Sequence, residues 1–438
     1  MSDPLFYVRA LHFAATLSVA GVVLFVVFIA EPAFRRTAAD PPIAAAVRAR
    51  FALLAWISLV VALLSAVPWL VIVAEAMSGL PLGALYAQGV LGTVLRETDF
   101  GNDWLLRVAI GCALGGLFVH FFAVKGAASQ ALQAATVILA AAYAGSLAWS
   151  GHAIGAQGVE GGLHPVADVL HLIAAAAWIG GLTPLALLLT AAGADSAGLA
   201  AARTATLRFS ALGIVSVATL VVSGLVNSWY LVGSIPALTT TDYGRLLLIK
   251  LALFSAMVAI AAINRSRLTP RLVQRADMAA AQHARRRLRR NAAIEALFGT
   301  VIVVIVAVLG TLPPASHIGQ HTHSGAIPAD ATFQHIHGED GMADVTIEPG
   351  RVGTARATIQ LWDDDFAPLA AHGVTLTLTA PSSGSKASTR TAVQNSDGAW
   401  VVDGVGLTEP GNWMVAVRAT LPSGKRLDLE APIVVDAK

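Results

Sequence analysis

The sequence predicts a mainly α-helical membrane protein, a bundle of about eight transmembrane helices followed by an all-β, immunoglobulin-like sandwich. Three observations lead there. The 438 residues are 56% hydrophobic and only 13% charged, with a mean hydropathy of +0.68, whereas soluble domains carry about 25% charged residues. Eight apolar stretches each reach the roughly 20 residues a helix needs to cross the hydrocarbon. After Pro313 and Pro314 such stretches stop, and Gly, Asp, Thr and Ser become frequent.

The stretches are Leu5–Ala30, Phe51–Met77, Trp104–Val124, Ala131–Ser150, His164–Thr190, Ala205–Val232, Tyr243–Asn264 and Asn291–Leu312. The first is too long for a cleaved signal segment and lacks its basic flank, so it reads as a helix that stays. The loops after the first, third, fifth and seventh stretches hold fifteen basic residues: Arg35, Arg36, Arg48, Arg50, Lys125, Arg203 and nine arginines from Arg265 to Arg290. The opposite loops hold Arg96, with Arg245 close to the seventh helix. The basic side is then cytoplasmic, and both termini are expected in the periplasm of a bacterial inner-membrane protein. The arginine run is read as a topology anchor, not a nucleic-acid patch. Beyond it, Asp344–Gly350, Thr354–Leu361, Gly373–Thr379, Ala399–Val402 and Trp413–Thr420 have strand composition or period-two alternation, separated by turn residues. About 100 residues of such strands predict the sandwich. The expected division is a transmembrane domain over 1–315, a histidine-rich connector over 316–338 and a periplasmic β domain over 339–438. No internal repeat is evident.

An ionisable residue within an apolar helix is costly and marks function by default. Placed at about 1.5 Å per residue, nearly all of them fall in the outer half. His12 lies in the first helix, Glu75 closes the second, Arg107 opens the third and His152 follows the fourth. His164, Asp168 and His171 enter the fifth, Asn227 stands near the outer end of the sixth, and Lys250 lies in the seventh. The inner half offers little beyond His120 and Glu295. Spacing of i, i+4 and i+7 aligns His164, Asp168 and His171 on one stripe. A carboxylate that fixes one ring nitrogen leaves the other for a metal. Asp168 is therefore expected to orient His171, which with His12 or His152 makes an imidazole site suited to copper. Lys250 reads either as a snorkelling anchor or as the partner of Asp168 or Glu75. The lone cysteine, Cys112, rules out a disulfide framework or a Cys-rich metal site, and reads as a packing residue. His120 reads as packed or interfacial. Trp178 to Gly181, followed by Pro184, should weaken the fifth helix or let a neighbour approach closely.

Five of the twelve histidines fall between His317 and His337. The pairs His321/His323 and His335/His337 would present both rings on one face of an extended chain, a plausible collection site for Cu(II) or Zn(II).

Together the residues resemble a known family. Tyr7–Phe13 with Gly21, Ser150–Ala153, Asp168–His171 running on to Ala177–Leu182, Arg208–Ser210 with Ser223 and Gly224, Tyr243–Lys250 and Leu309–Pro314 are similar to the CopD family of copper-resistance membrane proteins. The resemblance covers most of residues 1–315. The tail resembles the YtkA- or CopC-type immunoglobulin-like domains that accompany such regions in YcnJ-like fusions, although there a CopC domain usually stands at the amino end. It also lacks a Met-rich stretch, having Met342 and Met414. The resemblance implies copper passage across the inner membrane, more often uptake than export, and a periplasmic copper-binding partner of CopC type. The expected outward-facing site is then His12, His152, His164 and His171, with Asp168, Lys250, Glu75 and Arg107 as supporting or pathway groups. His321, His323, His335 and His337 would gather the metal. No GxxxxGK[ST] loop is present, so transport would be facilitated or ion-coupled, and no enzymatic role is expected. Two rival readings stay open. One is a membrane cytochrome holding haem b between His12, His152 and His171, with Gly21, Gly180 and Gly181 compatible with a slot. The other is a non-transporting copper chaperone or sensor.

Overall fold

A computed structural model describes residues 4–37, 41–78, 80, 82–87, 89–123, 128–150, 160–192, 196–232, 236–272, 278–312, 328, 330–338, 341–363, 368–381 and 387–437. The chain divides into two compact units, Met1–Gly319 and Gln320–Lys438.

The first unit contains the eight expected spans: α1 (Pro4–Thr37), α2 (Pro41–Ser78), α3 (Asp99–Ala123), α4 (Gln130–Gly145), α5 (Glu160–Ala191), α6 (Ser196–Val232), α7 (Asp242–Arg271) and α8 (Met278–Leu309). Several outrun their apolar windows. α2, α6 and α8 begin about ten residues early because the added turns are rich in Ala and Arg, which are strong helix formers. Much of the basic charge therefore rides on helices. Arg285 donates to the carbonyls of Leu189 and Ala192 at the end of α5, where unpaired carbonyls and the helix dipole favour a cation.

The core of the bundle is α1. Its apolar window is 78% buried, against 11% for α7. α1 packs on α2, α4, α5 and α8. The tightest approach is to α5, at Gly21 and Gly180. A Cβ on Gly21 would run into the backbone of Gly180 and the carbonyl of Ala176; a Cβ on Gly180 would run into the carbonyl of Leu17 and Gly21. Leu17 and Ala176 each lie four residues before their glycine, so the crossing is reciprocal. Of the two outcomes expected for Trp178–Gly181, close approach is the one that occurs, and α5 continues through Pro184 as a helix.

The reciprocity extends to the whole bundle, so the reading of no repeat is corrected: α1–α4 and α5–α8 are two versions of one four-helix unit. His12 precedes Gly21 by nine residues, as His171 precedes Gly180. The third helix of each half opens on the same cap. Thr98 Oγ1 accepts from the Gly101 N–H at 3.0 Å in Thr-Asp-Phe-Gly, and Thr241 Oγ1 accepts from the Gly244 N–H at 3.0 Å in Thr-Asp-Tyr-Gly. Eight residues after each aspartate stands a cation, Arg107 or Lys250. The fourth helices run out at Gly145-Ser146-Leu147 and Gly310-Thr311-Leu312. Packing follows the same rule, with α4 against α5 and α8 against α1. The match hides in the sequence because each element shares only a few residues. The connections also differ: two short helices (Leu82–Ala87 and Val90–Glu97) separate α2 from α3, and one (Ala237–Thr240) separates α6 from α7.

The second unit is a sandwich of two antiparallel sheets over one apolar core. Its strands are β1 (Thr332–Gly338), β2 (Gly341–Glu348), β3 (Gly353–Trp362), β4 (Gly373–Thr379), β5 (Ser388–Thr391), β6 (Val393–Gln394), β7 (Trp400–Leu407), β8 (Gly411–Thr420) and β9 (Arg426–Val435). The sheet orders are β1-β2-β3-β7-β6 and β5-β4-β8-β9. Val345, Ile359, Leu376, Trp400, Trp413 and Val417 fill the core by strand alternation. One boundary differs from expectation. His335 and His337 belong to β1, not to a connector, because Ile336 between them joins the core and the strand pairs with β2.

The crossing yields the first test. Gly21→Val should destabilise the bundle by roughly 1–3 kcal/mol or more through overpacking against backbone that has no room to yield. Gly116→Ala, where an added Cβ meets nothing within 4 Å, should stay within about 0.5 kcal/mol of the parent. Thermal unfolding in detergent, followed by size-exclusion of the surviving folded fraction, separates the two.

Candidate functional site

Each repeat carries one histidine near the face where α1, α3, α5 and α7 begin, His12 buried and His171 half-buried, and the two are held by equivalent helices. In the first, His12 is 2% exposed. Its Nδ1 faces the Ala62 carbonyl at 2.9 Å and Ser65 Oγ at 3.0 Å. A carbonyl only accepts, so Nδ1 carries the proton. Nε2 then accepts from Arg107 Nη2 at 2.6 Å. The other arm of Arg107, Nη1, donates to Ser146 Oγ at 2.9 Å, and the guanidinium lies 5.5 Å from the centre of the Tyr143 ring. Trp69 packs edge-on to the imidazole at 5.0 Å. A small cavity of about 10 Å3 lies alongside, lined by Phe100, Asp103 and Trp104 among others, room for about one water.

In the second repeat His171 Nδ1 meets Ser223 Oγ at 2.9 Å, while Ser223 gives its own proton to the Thr219 carbonyl at 2.6 Å. Ser223 therefore accepts, Nδ1 is again the protonated nitrogen, and the Nε2 lone pair makes no hydrogen bond among the described residues. Asp168 accepts from Asn227 Nδ2 at 2.5 Å and acts electrostatically on Lys250 and Tyr243. Lys250 acts in turn on His171 but makes no hydrogen bond among the described residues. The expected orientation of His171 by Asp168 is thus corrected: Ser223, from the next helix, holds the ring. Of the partners weighed for Lys250, Asp168 is the one near it. Glu75 stands half-buried in the last turns of α2 without an ion pair among the described residues.

His152, His321 and His323 lie outside the described residues, as do the side chains of His164 on α5 and His337 on β1. Among the described residues no three His, Cys, Asp or Glu side chains gather where they could hold a metal ion. His12 and His171 stand in separate polar clusters. Cys112 and His120 are exposed on α3, so the expected packing role of Cys112 is corrected. In the sandwich, His335 Nδ1 lies 2.5 Å from Asp344 Oδ1, directly across the β1–β2 pairing. Trp362 Nε1 donates to Asp344 Oδ2 at 2.9 Å. A carboxylate so fixed holds the imidazole tautomer that offers its other nitrogen to a metal.

A haem b does not fit the glycines that suggested one. Gly21 and Gly180 are closed on each other, and a Cβ on Gly181 would meet Phe209 at 2.8 Å. The Nε2 of His12 is also engaged by Arg107.

Sequence reasoning gave no role at the rings to Ser65, Ser146 or Ser223, and at the opposite, basic face it found Glu295 but missed Glu31 and the asparagines that hold Glu295. There Glu31, 4% exposed, forms a two-pronged pair with Arg48 at 2.6 and 2.9 Å. Asn291 donates to Asn264, which donates to buried Glu295 at 2.8 Å. Glu31 was hidden because α1 outlasts its apolar window through a π-helical turn, Val26–Ala30.

Two family profiles match the chain: "Copper resistance protein D-like, N-terminal domain" over residues 1–163 and "Copper resistance protein D" over 203–309. The chain is 32% identical over 231 residues to copper resistance protein D of Pseudomonas syringae pv. tomato, covering 52% of this chain and 72% of that one. It is 31% identical over 306 residues to inner membrane protein YebZ of Escherichia coli (strain K12), covering 70% and 97%. Copper transport protein CutJ of Bacillus subtilis (strain 168) is 26% identical over 340 residues, 76% of this chain and 58% of that protein. With eight apolar helices in a paired four-helix bundle and both profiles matching along it, the chain belongs to the copper resistance protein D family.

Proposed function

We propose that this protein carries copper ions across the bacterial inner membrane, in the direction of uptake, with both termini in the periplasm. The observation that carries the reading is His171: an imidazole within the bundle, its Nδ1–H fixed by Ser223 and its Nε2 lone pair open. Neutral imidazole oriented in this way is a copper ligand. His164, one helix stripe away on α5, and His152, in the segment leading into it, are the nearest candidates in sequence to complete the site. Asp168 balances a cation there, and the neighbouring Lys250 leaves when one arrives. His12 belongs to the equivalent place in the other repeat. The histidines at 321, 323, 335 and 337 gather copper or receive it from a periplasmic partner of CopC type. The names of the relatives, copper resistance and copper transport, support the cargo, and the segregation of arginines to one face supports the orientation. No enzymatic step is proposed.

Cellular copper, measured by mass spectrometry with and without the protein, decides the reading. Expression should raise it, and His171→Ala should return it to the level of cells lacking the protein. A fall on expression would reverse the direction, and no change in either would remove transport. Ser223→Ala keeps the imidazole but frees its ring, so copper affinity should drop about 10–100-fold with the protein still folded. In the sandwich, Asp344→Asn should weaken copper binding at His335 by a similar factor, read as loss of a His335-dependent step in a copper titration of the full-length protein. An unchanged titration would leave His335 a structural residue.

A further inference from the structure

Two carboxyl groups are buried toward the basic face, and the bundle treats them differently. Glu31 is 4% exposed and meets both arms of Arg48. Glu295, on α8, is 2% exposed and forms no ion pair among the described residues; its Oε1 accepts from Asn264 Nδ2 at 2.8 Å. Asn264 Oδ1 in turn accepts from Asn291 Nδ2 at 2.7 Å, so a chain of two neutral amides reaches the carboxyl. The backbone of α7 turns π-helical over Asn264–Leu268, and Thr269 Oγ1 donates to the Asn264 carbonyl at 2.8 Å. Such turns inside helices recur at functional sites. The arginines of the helices packed on α8 are engaged elsewhere or exposed. Arg208 on α6 donates to the Phe28 carbonyl, Arg265 on α7 to Ser210 Oγ, and Arg285 of α8 itself to the end of α5. Arg35 and Arg36 on α1, Arg267 on α7 and Arg290 on α8 are exposed. From α5 the described neighbour is Ile179, which lies against Gly299, one turn beyond Glu295.

Ile179 also fixes the depth. It precedes Gly180 of the α1–α5 crossing, so Glu295 stands on the basic side of that crossing. His171, eight residues before Ile179, stands roughly 12 Å to the other side along α5. We propose that Glu295 is a proton site that controls the passage of the cation toward the basic face. With its proton on, the carboxyl is neutral and the buried chain of amides carries no charge. With the proton given to water on the basic side, the carboxylate supplies the negative charge that a cation needs inside the bundle, where water is lacking. A cation beside a carboxyl favours its ionised form, so proton and cation exclude each other there. When the cation leaves, the carboxyl takes a proton back from the same water. Glu31 does not serve this purpose, because Arg48 already neutralises it. The inference rests on the proposed transport of copper and names the group that regulates it.

The test varies pH on the basic face alone. Right-side-out membrane vesicles holding the full-length protein are loaded with buffers of different pH at one fixed external pH. Entry of added copper ions is measured by mass spectrometry against vesicles lacking the protein. In the parent, entry should fall as the internal pH is lowered, because the proton then stays on Glu295. Glu295→Gln, a permanently neutral group that still accepts from Asn264, should give slow entry that no longer responds to internal pH. Asn264→Ala removes the N–H that supports the carboxylate, so its fall should come at higher pH than in the parent. That variant and the parent profile keep the test decisive if Glu295→Gln fails to fold. Copper entry that ignores internal pH in the parent, or a Glu295→Gln profile like the parent's, overturns the proton site and leaves the transport reading standing. No entry above the protein-free level at any pH removes the transport reading itself, and this inference with it.

Discussion

The close crossing of α1 and α5 at Gly21 and Gly180 is the contact on which the rest of the bundle depends. Neither position tolerates a Cβ, because what each would meet is backbone, not a side chain that could turn aside. Three spans separate the two helices, so they cross the membrane in the same direction. A parallel pair meeting at equivalent residues is the simplest centre for a two-fold arrangement of four helices on four. The histidines follow from it. Each stands nine residues before its glycine, roughly 14 Å along the helix axis, so His12 and His171 share a depth. Equivalent second and third helices then bring a serine and a cation to each ring.

Within hydrocarbon every polar group must find its partner inside the protein. Around its histidine the first repeat answers this with hydrogen bonds. His12, Arg107, Ser146 and Ser65 form a closed set in which both ring nitrogens and both arms of the guanidinium are engaged. In the second repeat Asn227 donates to Asp168, Asp168 acts electrostatically on Lys250, and the second nitrogen of His171 has no hydrogen bond among the described residues. A closed hydrogen-bond network rigidifies the elements it joins. One architecture thus holds two copies of the same arrangement, and among the described residues both ring nitrogens are engaged only in the first.

Much of this was legible in the sequence, and the parts that were not have specific causes. Spans could be found from hydropathy alone because nothing else makes runs of twenty apolar residues. Their ends were misplaced where Ala and Arg continue a helix beyond the apolar window, as in α8, and Glu31 was concealed because α1 runs on through a π-helical turn. His12, Arg107, Asp168, His171 and Lys250 stood out because charge is rare among apolar residues. The serines that orient the rings did not stand out. A hydroxyl on a membrane helix usually bonds its own preceding turn, as Ser255 does to Leu251 and Thr190 to Ala186, and Ser223, although among the residues that carry the family resemblance, has nothing in its spacing that points to the His171 ring. His171 was paired with Asp168 because they lie three residues apart on one helix. The ring is instead held by α6, a tertiary contact that spacing along one helix cannot reveal.

The shared depth of the two histidines also constrains how a cation could cross. Two histidines at one level cannot form a ladder toward the basic face. The polar groups at that face are closed among themselves. Glu31 is clamped by both arms of Arg48, whose guanidinium covers the Phe34 ring at 5.1 Å, and Glu295 is held by the Asn291–Asn264 chain. A cation leaving His171 in that direction meets apolar packing and an occupied ion pair, not a row of ligands. Passage therefore calls for a change in how the helices are arranged. The bundle offers one hinge for it, the bare-backbone crossing of two matching four-helix units, and inverted or parallel repeats rock against one another in known transporters. In such a motion the arginine fork would hold α1, α3 and α4 together as one body.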